Sequence, residues 1–201
     1  MYLDHVTYTG PGIDDPETLG RLPRPLRGLL EQINGFIQFH GGLHVRGACS
    51  EPDWHSLGVA WKGEQSFAAL YDAIDEEDIP FAEDCIGCQY LLRNDSVHYF
   101  EAETGDLEDL GKSFREFVEW VQADPVENLG MHPLLQLQKE GGNLQPGQLL
   151  SEYPFFFTKE SANGVDLRAV PAMERRRFLA DICRQLKDLP DGAKFNVEFT
   201  D

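Results

Sequence analysis

Cys85-Ile86-Gly87-Cys88 has the spacing used by redox dithiols and by half of a zinc site. A structural zinc needs four ligands, and Cys49, Cys183 and the isolated histidines supply no second C-x-x-C and no His pair at finger spacing. A thioredoxin-type pair stands where a strand runs into a helix, whereas the residues after Cys88 read as a strand. Buried strand cysteines are the expected outcome. His40 and His44 are four apart, but Gly41-Gly42 between them breaks the regular geometry that would align two metal ligands. Trp54-His55 and His98 have no candidate nucleophile beside them. The run Asp75-Glu76-Glu77-Asp78 lacks the alternation and the glycine of a calcium loop. Carboxylates that dense raise one another's pKa when buried, so they are expected in solvent. A glycosidase-type acid and base pair stays open, because carboxylate separation is invisible in sequence. Nothing here assembles a nucleophile, a metal cage or a phosphate loop, and the chain reads as a binding protein without a cofactor.

The charge points the same way. Seventeen basic and 35 acidic residues give a net of −18, which argues against direct binding to nucleic acid or to an anionic membrane. The imbalance is local: residues 1–125 hold 24 Asp and Glu against 8 Lys and Arg, a net of −16, and residues 126–201 carry the other −2. Such a surface serves solubility, or it attracts a basic partner and speeds association in a salt-dependent way. With 201 residues the chain buries a sizeable core without disulfide staples, and its four cysteines are too scattered for a secreted scaffold. The first residues lack the basic and apolar stretches of a secretory leader, and no apolar run approaches membrane-spanning length. A cytoplasmic location is the expectation.

The elements that must position these residues follow from periodicity. Residues 1–20, with Pro11, Pro16 and three glycines, read as an irregular arm. A helix begins near Pro25, with Leu22, Leu26, Leu29, Leu30 and Ile33 on one face, and ends at Asn34-Gly35. A strand follows from Leu43 towards Ala48 or Cys49, then a short helix over Glu64 to Ile74. From Ile79, strand-like runs broken at Gly87 and at Asn94-Asp95-Ser96 describe an antiparallel meander. Ser113 and Glu116 have capping-box spacing, ahead of a Phe114, Phe117, Val118, Val121 stripe that covers a sheet and stops at Asp124-Pro125.

A second unit starts near residue 126. Tyr153 to Phe157 reads as a buried anchor, and Pro171 precedes a helix carrying Phe178, Leu179, Ile182, Leu186 and Leu189, with Arg175, Arg176 and Arg177 facing solvent. Pro190-Asp191-Gly192 ends it, and Lys194 to Phe199 alternates as a half-buried strand. The three segments are therefore an arm (1–20), a main domain (21–125) and a C-terminal extension (126–201) docked on it.

Taken in order, L-P-R-P-L-R-G-L-L-E-Q-I-N-G-F (Leu22 to Phe36), G-G-L-H-V-R-G-A (Gly41 to Ala48), F-A-E-D-C-I-G (Phe81 to Gly87), V-H-Y-F-E-A-E-T-G (Val97 to Gly105) and S-F-R-E-F-V-E-W-V (Ser113 to Val121) resemble the SUKH superfamily. That superfamily includes fungal cell-wall-synthesis regulators and bacterial immunity proteins of polymorphic toxin systems. The resemblance covers residues 20–125, and Cys88 departs from it where many relatives have a polar residue. It implies an α+β fold, a central, largely antiparallel sheet covered by helices, to which residues 126–201 add an α/β extension. It also implies a cytoplasmic protein that blocks a cognate toxin, and it carries no catalytic motif.

The function expected is that of an immunity protein neutralising a basic toxin, such as a nuclease, through an acidic surface. Asp72, Asp75, Glu76, Glu77 and Asp78 are the candidate contacts, with Trp54, Trp61 and Tyr71 as candidate aromatic anchors, each with burial in the core as its competing fate. The alternative is a regulatory or scaffold protein of the cell-wall-synthesis-regulator type, and an enzyme of unknown reaction is the third choice.

Overall fold

The computed structural model describes residues 3–156 and 158–187. Seven strands form one sheet in chain order, every neighbouring pair antiparallel: β1 (Val6–Thr9), β2 (Phe36–Gln38), β3 (Leu43–Val45), β4 (Ile79–Asp84), β5 (Gln89–Arg93), β6 (Ser96–Phe100) and β7 (Leu107–Lys112). The helices are α1 (Pro16–Arg21), α2 (Arg24–Leu30), α3 (Leu57–Trp61), α4 (Phe67–Leu70), α5 (Phe114–Ala123), α6 (Pro125–Asn128), α7 (His132–Lys139) and α8 (Ala172–Leu186), and a hairpin of β8 (Gln148–Tyr153) and β9 (Asp166–Pro171) precedes α8. The fold is α+β, as the sequence implies.

The meander forms where the turn chemistry places it. Asp84 accepts the backbone N–H groups of Ile86, Gly87 and Cys88 on one oxygen, at 2.9–3.0 Å, and Gly87 takes a φ of 101°. The C-x-x-C spacing is thus the footprint of a tight β4–β5 turn nucleated by an aspartate. The next turn puts Asn94 and Asp95 in the left-handed region that short polar side chains tolerate. Ser113 and Glu116 make the full capping box, and Phe114, Phe117 and Val121 pack α5 on Phe81 and Tyr90 of the sheet.

Residues 126–187 share that core. Leu129, Met131, Leu134, Leu137, Leu150 and Leu167 belong to the same apolar cluster as Leu26, Phe36, Phe81 and Phe117, and Leu150 N–H bonds the Cys85 carbonyl at 2.8 Å. On the opposite face of the sheet, Leu179 and Ala180 of α8 close over Phe67, Tyr71, Leu91 and Phe100. The described residues of the extension pack on both faces of the sheet.

Several local expectations change. The arm is structured: β1 pairs with β2 along the sheet edge, and Asp15 caps α1 at Pro16, elements too short to show a period. The helix expected over Glu64 to Ile74 shrinks to α4, because Tyr71 turns extended so that its ring packs edge-on against Phe100 at 4.8 Å. Strand β3 stops at Val45, before Ala48 and Cys49. Among the described residues of the Tyr153 to Phe157 run only Phe155 is buried: Tyr153 is 72% exposed and Phe156 is also exposed. Arg175 and Arg176 are buried, not solvent-facing, and only Arg177 of the three is exposed. Phe157, Leu189, the Pro190-Asp191-Gly192 stop and the Lys194 to Phe199 strand lie outside the described residues.

Candidate functional site

Antiparallel register sets a row of side chains across one sheet face. Ile37 opposes His44, His44 opposes Glu83, Glu83 opposes Gln89 and Gln89 opposes Phe100. Three polar side chains therefore stand together at the centre of a face that α8 and the 46–57 segment cover. All three are buried, so each must find partners inside the protein.

Glu83 finds them in two guanidinium groups. Arg46 Nη2 donates to Oε2 at 2.7 Å, Arg176 Nε to Oε2 at 2.9 Å and Arg176 Nη2 to Oε1 at 2.6 Å. Arg46 also donates to the Pro80 carbonyl and to Gln89 Oε1, both at 2.7 Å, and Arg176 donates to the Trp54 carbonyl at 2.9 Å. Burial opposes ionisation of Glu83, but Arg176 and Arg46 overcome it and hold the carboxyl well below its usual range. Burial draws Arg46 down to about 9, so it is still a cation at neutral pH.

His44 bridges this cluster to His55. Its Nδ1 lies 2.8 Å from Glu83 Oε1 and its Nε2 lies 2.8 Å from His55 Nδ1, while His55 Nε2 lies 3.1 Å from the Asn34 carbonyl oxygen. Burial is the largest influence on both rings and disfavours the imidazolium: His44 falls to about 4, and His55 is lowered as well. Three glycines make room for His55. A Cβ on Gly10, Gly35 or Gly47 would lie 2.2, 2.6 or 2.9 Å from the imidazole, closer than any such contact tolerates. Asn34 locks the same corner, its amide donating to Pro11 and accepting from Ala48 N–H at 2.7 Å.

A cavity of about 220 Å³ opens beside this network. His44 and Glu83 line it together with Thr7, Trp54, His40 and the 143–149 segment. Trp54 packs tilted or edge-on among Tyr8, His44 and His55 at centroid distances of 5.2–5.3 Å, so it belongs to the cavity wall and not to the acidic loop. His40 and His44 do reach a common space, yet among the described residues no three His, Cys, Asp or Glu side chains are arranged to hold a metal ion.

A second buried centre sits on the neighbouring residue of α8. Arg175 Nη2 donates to both oxygens of Glu152 at 2.8 and 2.7 Å and approaches Glu103 at 3.5 Å. Burial, then the adjoining Glu152 carboxylate, pushes Glu103 up to about 9, so Glu103 keeps its proton at neutral pH. Cys85 and Cys88 are free and buried, and burial raises both thiols well above their usual value, so both stand as neutral thiols at neutral pH.

The acidic run divides. Asp72 and Asp75 have side chains 87% and 78% exposed, and Glu76 and Glu77 are exposed beside them. Asp78 is instead buried: it takes Arg93 Nε at 2.7 Å and the Asp75 N–H at 2.8 Å. Arg93 also holds the Ala73 carbonyl at 3.0 Å. Trp61 is buried under the loop, its indole N–H donating to the Glu76 carbonyl at 3.0 Å, and Tyr71 is buried against Phe100. Trp61, Tyr71 and Asp78 therefore leave the list of surface contacts and become the loop's supports. Among the described residues no helix is long and apolar enough to cross a membrane.

Sequence reasoning missed the buried charge network, although one signal for it exists. Arg175 is in phase with Leu179 and Ile182, and Arg176 with Leu179 and Ala180, so helical spacing places both arginines on the apolar stripe.

No protein-family model and no curated protein matches the chain. Among solved structures, it is similar to the crystal structure of Atu4351 from Agrobacterium tumefaciens, with a TM-score of 0.51 over 87% of this chain and 85% of that one. The two are 12% identical, so the likeness is one of fold.

Proposed function

We propose that this chain is a non-enzymatic, protein-binding protein of the SUKH immunity type, which neutralises a basic toxin by presenting a fixed acidic loop. The observation that carries this reading is the loop from Tyr71 to Asp78. Its outward carboxylates, Asp72, Asp75, Glu76 and Glu77, face solvent, Asp72 paired with exposed Lys187 and Asp75 lying 3.4 Å from Arg93, while Trp61, Arg93 and Asp78 hold its backbone from beneath. Exposed Asp95 adds to the same edge, next to Arg93 in the β5–β6 turn. A loop already ordered loses little freedom on binding, and its field steers a cationic partner. A chain with a net charge of −18 repels nucleic acid and anionic membranes, so a basic polypeptide is the fitting partner. Glu83 supports the non-enzymatic reading, since its oxygens are taken up by Arg46 and Arg176.

The test is to purify the chain with the toxin encoded beside its gene and to follow association by surface plasmon resonance. The expected result is a complex whose association rate falls at least tenfold between low and moderate salt. Replacing Asp75, Glu76 and Glu77 together by Ser should lower that rate with the fold intact. An association rate indifferent to both salt and the triple replacement sinks the proposal.

A further inference from the structure

The chain of contacts from the Asn34 carbonyl through His55 and His44 to Glu83 is bounded at both ends by acceptors. Its three contacts need three protons, one in each, distributed over four ring nitrogens. Two neutral imidazoles carry only two. Glu83 cannot supply the third, because Arg46 and Arg176 hold it as a carboxylate. With the histidines neutral, one contact therefore sets lone pair against lone pair. With the third proton present the pair is a cation, and every contact becomes a hydrogen bond.

Burial and the charges around the pair decide which form prevails. Arg46 faces it from the end of β3, Arg176 from α8 and Glu83 from β4, while Tyr8 of β1 packs edge-on against His55 at 5.4 Å and His40 stands at the cavity rim. Adding an imidazolium sets three cations against one buried carboxylate. Burial first, and then the Arg46 charge, keeps His44 neutral in the empty protein. A negative charge beside His44 reverses the balance, and the cavity opens at that ring.

The cavity is furnished for a small anion with an organic part. Trp54 gives it an aromatic wall, and Thr7, Asn143 and Gln148 bring hydroxyl and amide groups. At its edge Phe39 and His40 hold φ values of 53° and 57°, a left-handed pair of non-glycine residues of the kind that clusters at functional sites. A monoanion matches the single charge that the proton adds, whereas a phosphate dianion overshoots it.

We propose that this cavity binds a small organic carboxylate and that binding delivers one proton to the His44–His55 pair. The inference is independent of the acidic loop, none of whose residues lines the cavity.

Acetate and benzoate are the probes, titrated calorimetrically into the full chain in two buffers of different ionisation enthalpy between pH 6 and 8, with inorganic phosphate as the third arm. The expected result is uptake of close to one proton per carboxylate bound, so that affinity falls about tenfold for each pH unit gained. His44→Gln should abolish the uptake. Should that variant not fold, Trp54→Phe keeps both histidines and should weaken benzoate several-fold with the uptake retained. Absence of binding up to about 50 mM of either carboxylate at pH 6, binding without proton uptake, or unchanged benzoate affinity in Trp54→Phe overturns the proposal. Phosphate binding as well as acetate with the same uptake overturns the choice of a carboxylate.

Discussion

Arg176 and Glu83 form a two-pronged buried ion pair, 2.9 and 2.6 Å between donor and acceptor, although 93 positions separate them in the sequence. The pair ties α8 to the middle of the sheet, and Arg176 adds a bond to the Trp54 carbonyl. Removing one partner of such a pair leaves a buried charge short of its counterion, which costs about 3–5 kcal/mol. Arg176→Ala is therefore expected to lower unfolding stability by that amount in urea titrations. A loss below about 1 kcal/mol would show that apolar packing alone docks the helix.

His44 should contribute an acid destabilisation that begins above the range of ordinary carboxylate titration. His44 is held at about 4 in the folded state against an ordinary 6.5, so between those values the unfolded chain binds a proton that the native chain refuses. A depressed histidine contributes stability that is fully present above about pH 6.5 and lost as pH falls towards 4, up to about 3 kcal/mol for this one group. Glu83, lowered well below its usual range, continues the loss in the same direction below about pH 4.5. Because the raised carboxyls of Asp84 and Glu103 gain stability over the same range, the His44 contribution is read by difference: urea midpoints measured from pH 7 down to 4 in carboxylate-free buffer should fall more steeply in wild type than in His44→Gln from about pH 6.5 onwards, and parallel profiles contradict the assignment.

Glu103 works in the opposite sense. Raised to about 9, it stays protonated in the fold after the unfolded chain has ionised, so its contribution is lost as pH rises from about 4.5 towards 9. Glutamine copies the neutral acid in shape and has no proton to lose. Glu103→Gln should cost less than about 1.5 kcal/mol near pH 5 and should be the more stable protein at pH 8. If wild type remains the more stable at both pH values, the side chain is ionised in the fold.

Much of the frame was legible in the sequence, because its signals are local. Ser113 and Glu116 announce α5, Asn94-Asp95 announces the β5–β6 turn, and Phe114, Phe117 and Val121 point inwards at helical spacing. The charge cluster was not legible, since Arg46, Glu83 and Arg176 meet only through strand register and the docking of a distant helix. The glycines around His55 mislead for a related reason. Gly10, Gly35 and Gly47 look like loop punctuation, yet a Cβ on Gly10 or Gly47 would run into the Asn34 carbonyl at 2.2 or 2.4 Å. Asp78 shows the limit of composition: four carboxylates in succession read as one solvated run, and Arg93, fifteen positions on, takes the last of them inside.

That division of the acidic run separates two effects that a simple charge model merges. Removing the exposed carboxylates at Asp75, Glu76 and Glu77 strips charge from the surface, with one long ion pair lost, Asp75 to Arg93 at 3.4 Å, and stability should shift by no more than about 1 kcal/mol. Trp61→Phe removes no charge but deletes the indole N–H that holds the Glu76 carbonyl, along with part of a buried ring. It should lower stability by about 1–3 kcal/mol and loosen the loop, which slower proteolysis of wild type than of variant between residues 71 and 78 would report. With a bound partner, the triple replacement should act mainly on the association rate, because steering depends on charge. Trp61→Phe should act mainly on the dissociation rate, because a loop that must be ordered on binding holds its partner less well. Identical effects of both changes on the two rates would show that the loop's shape adds nothing to its charge.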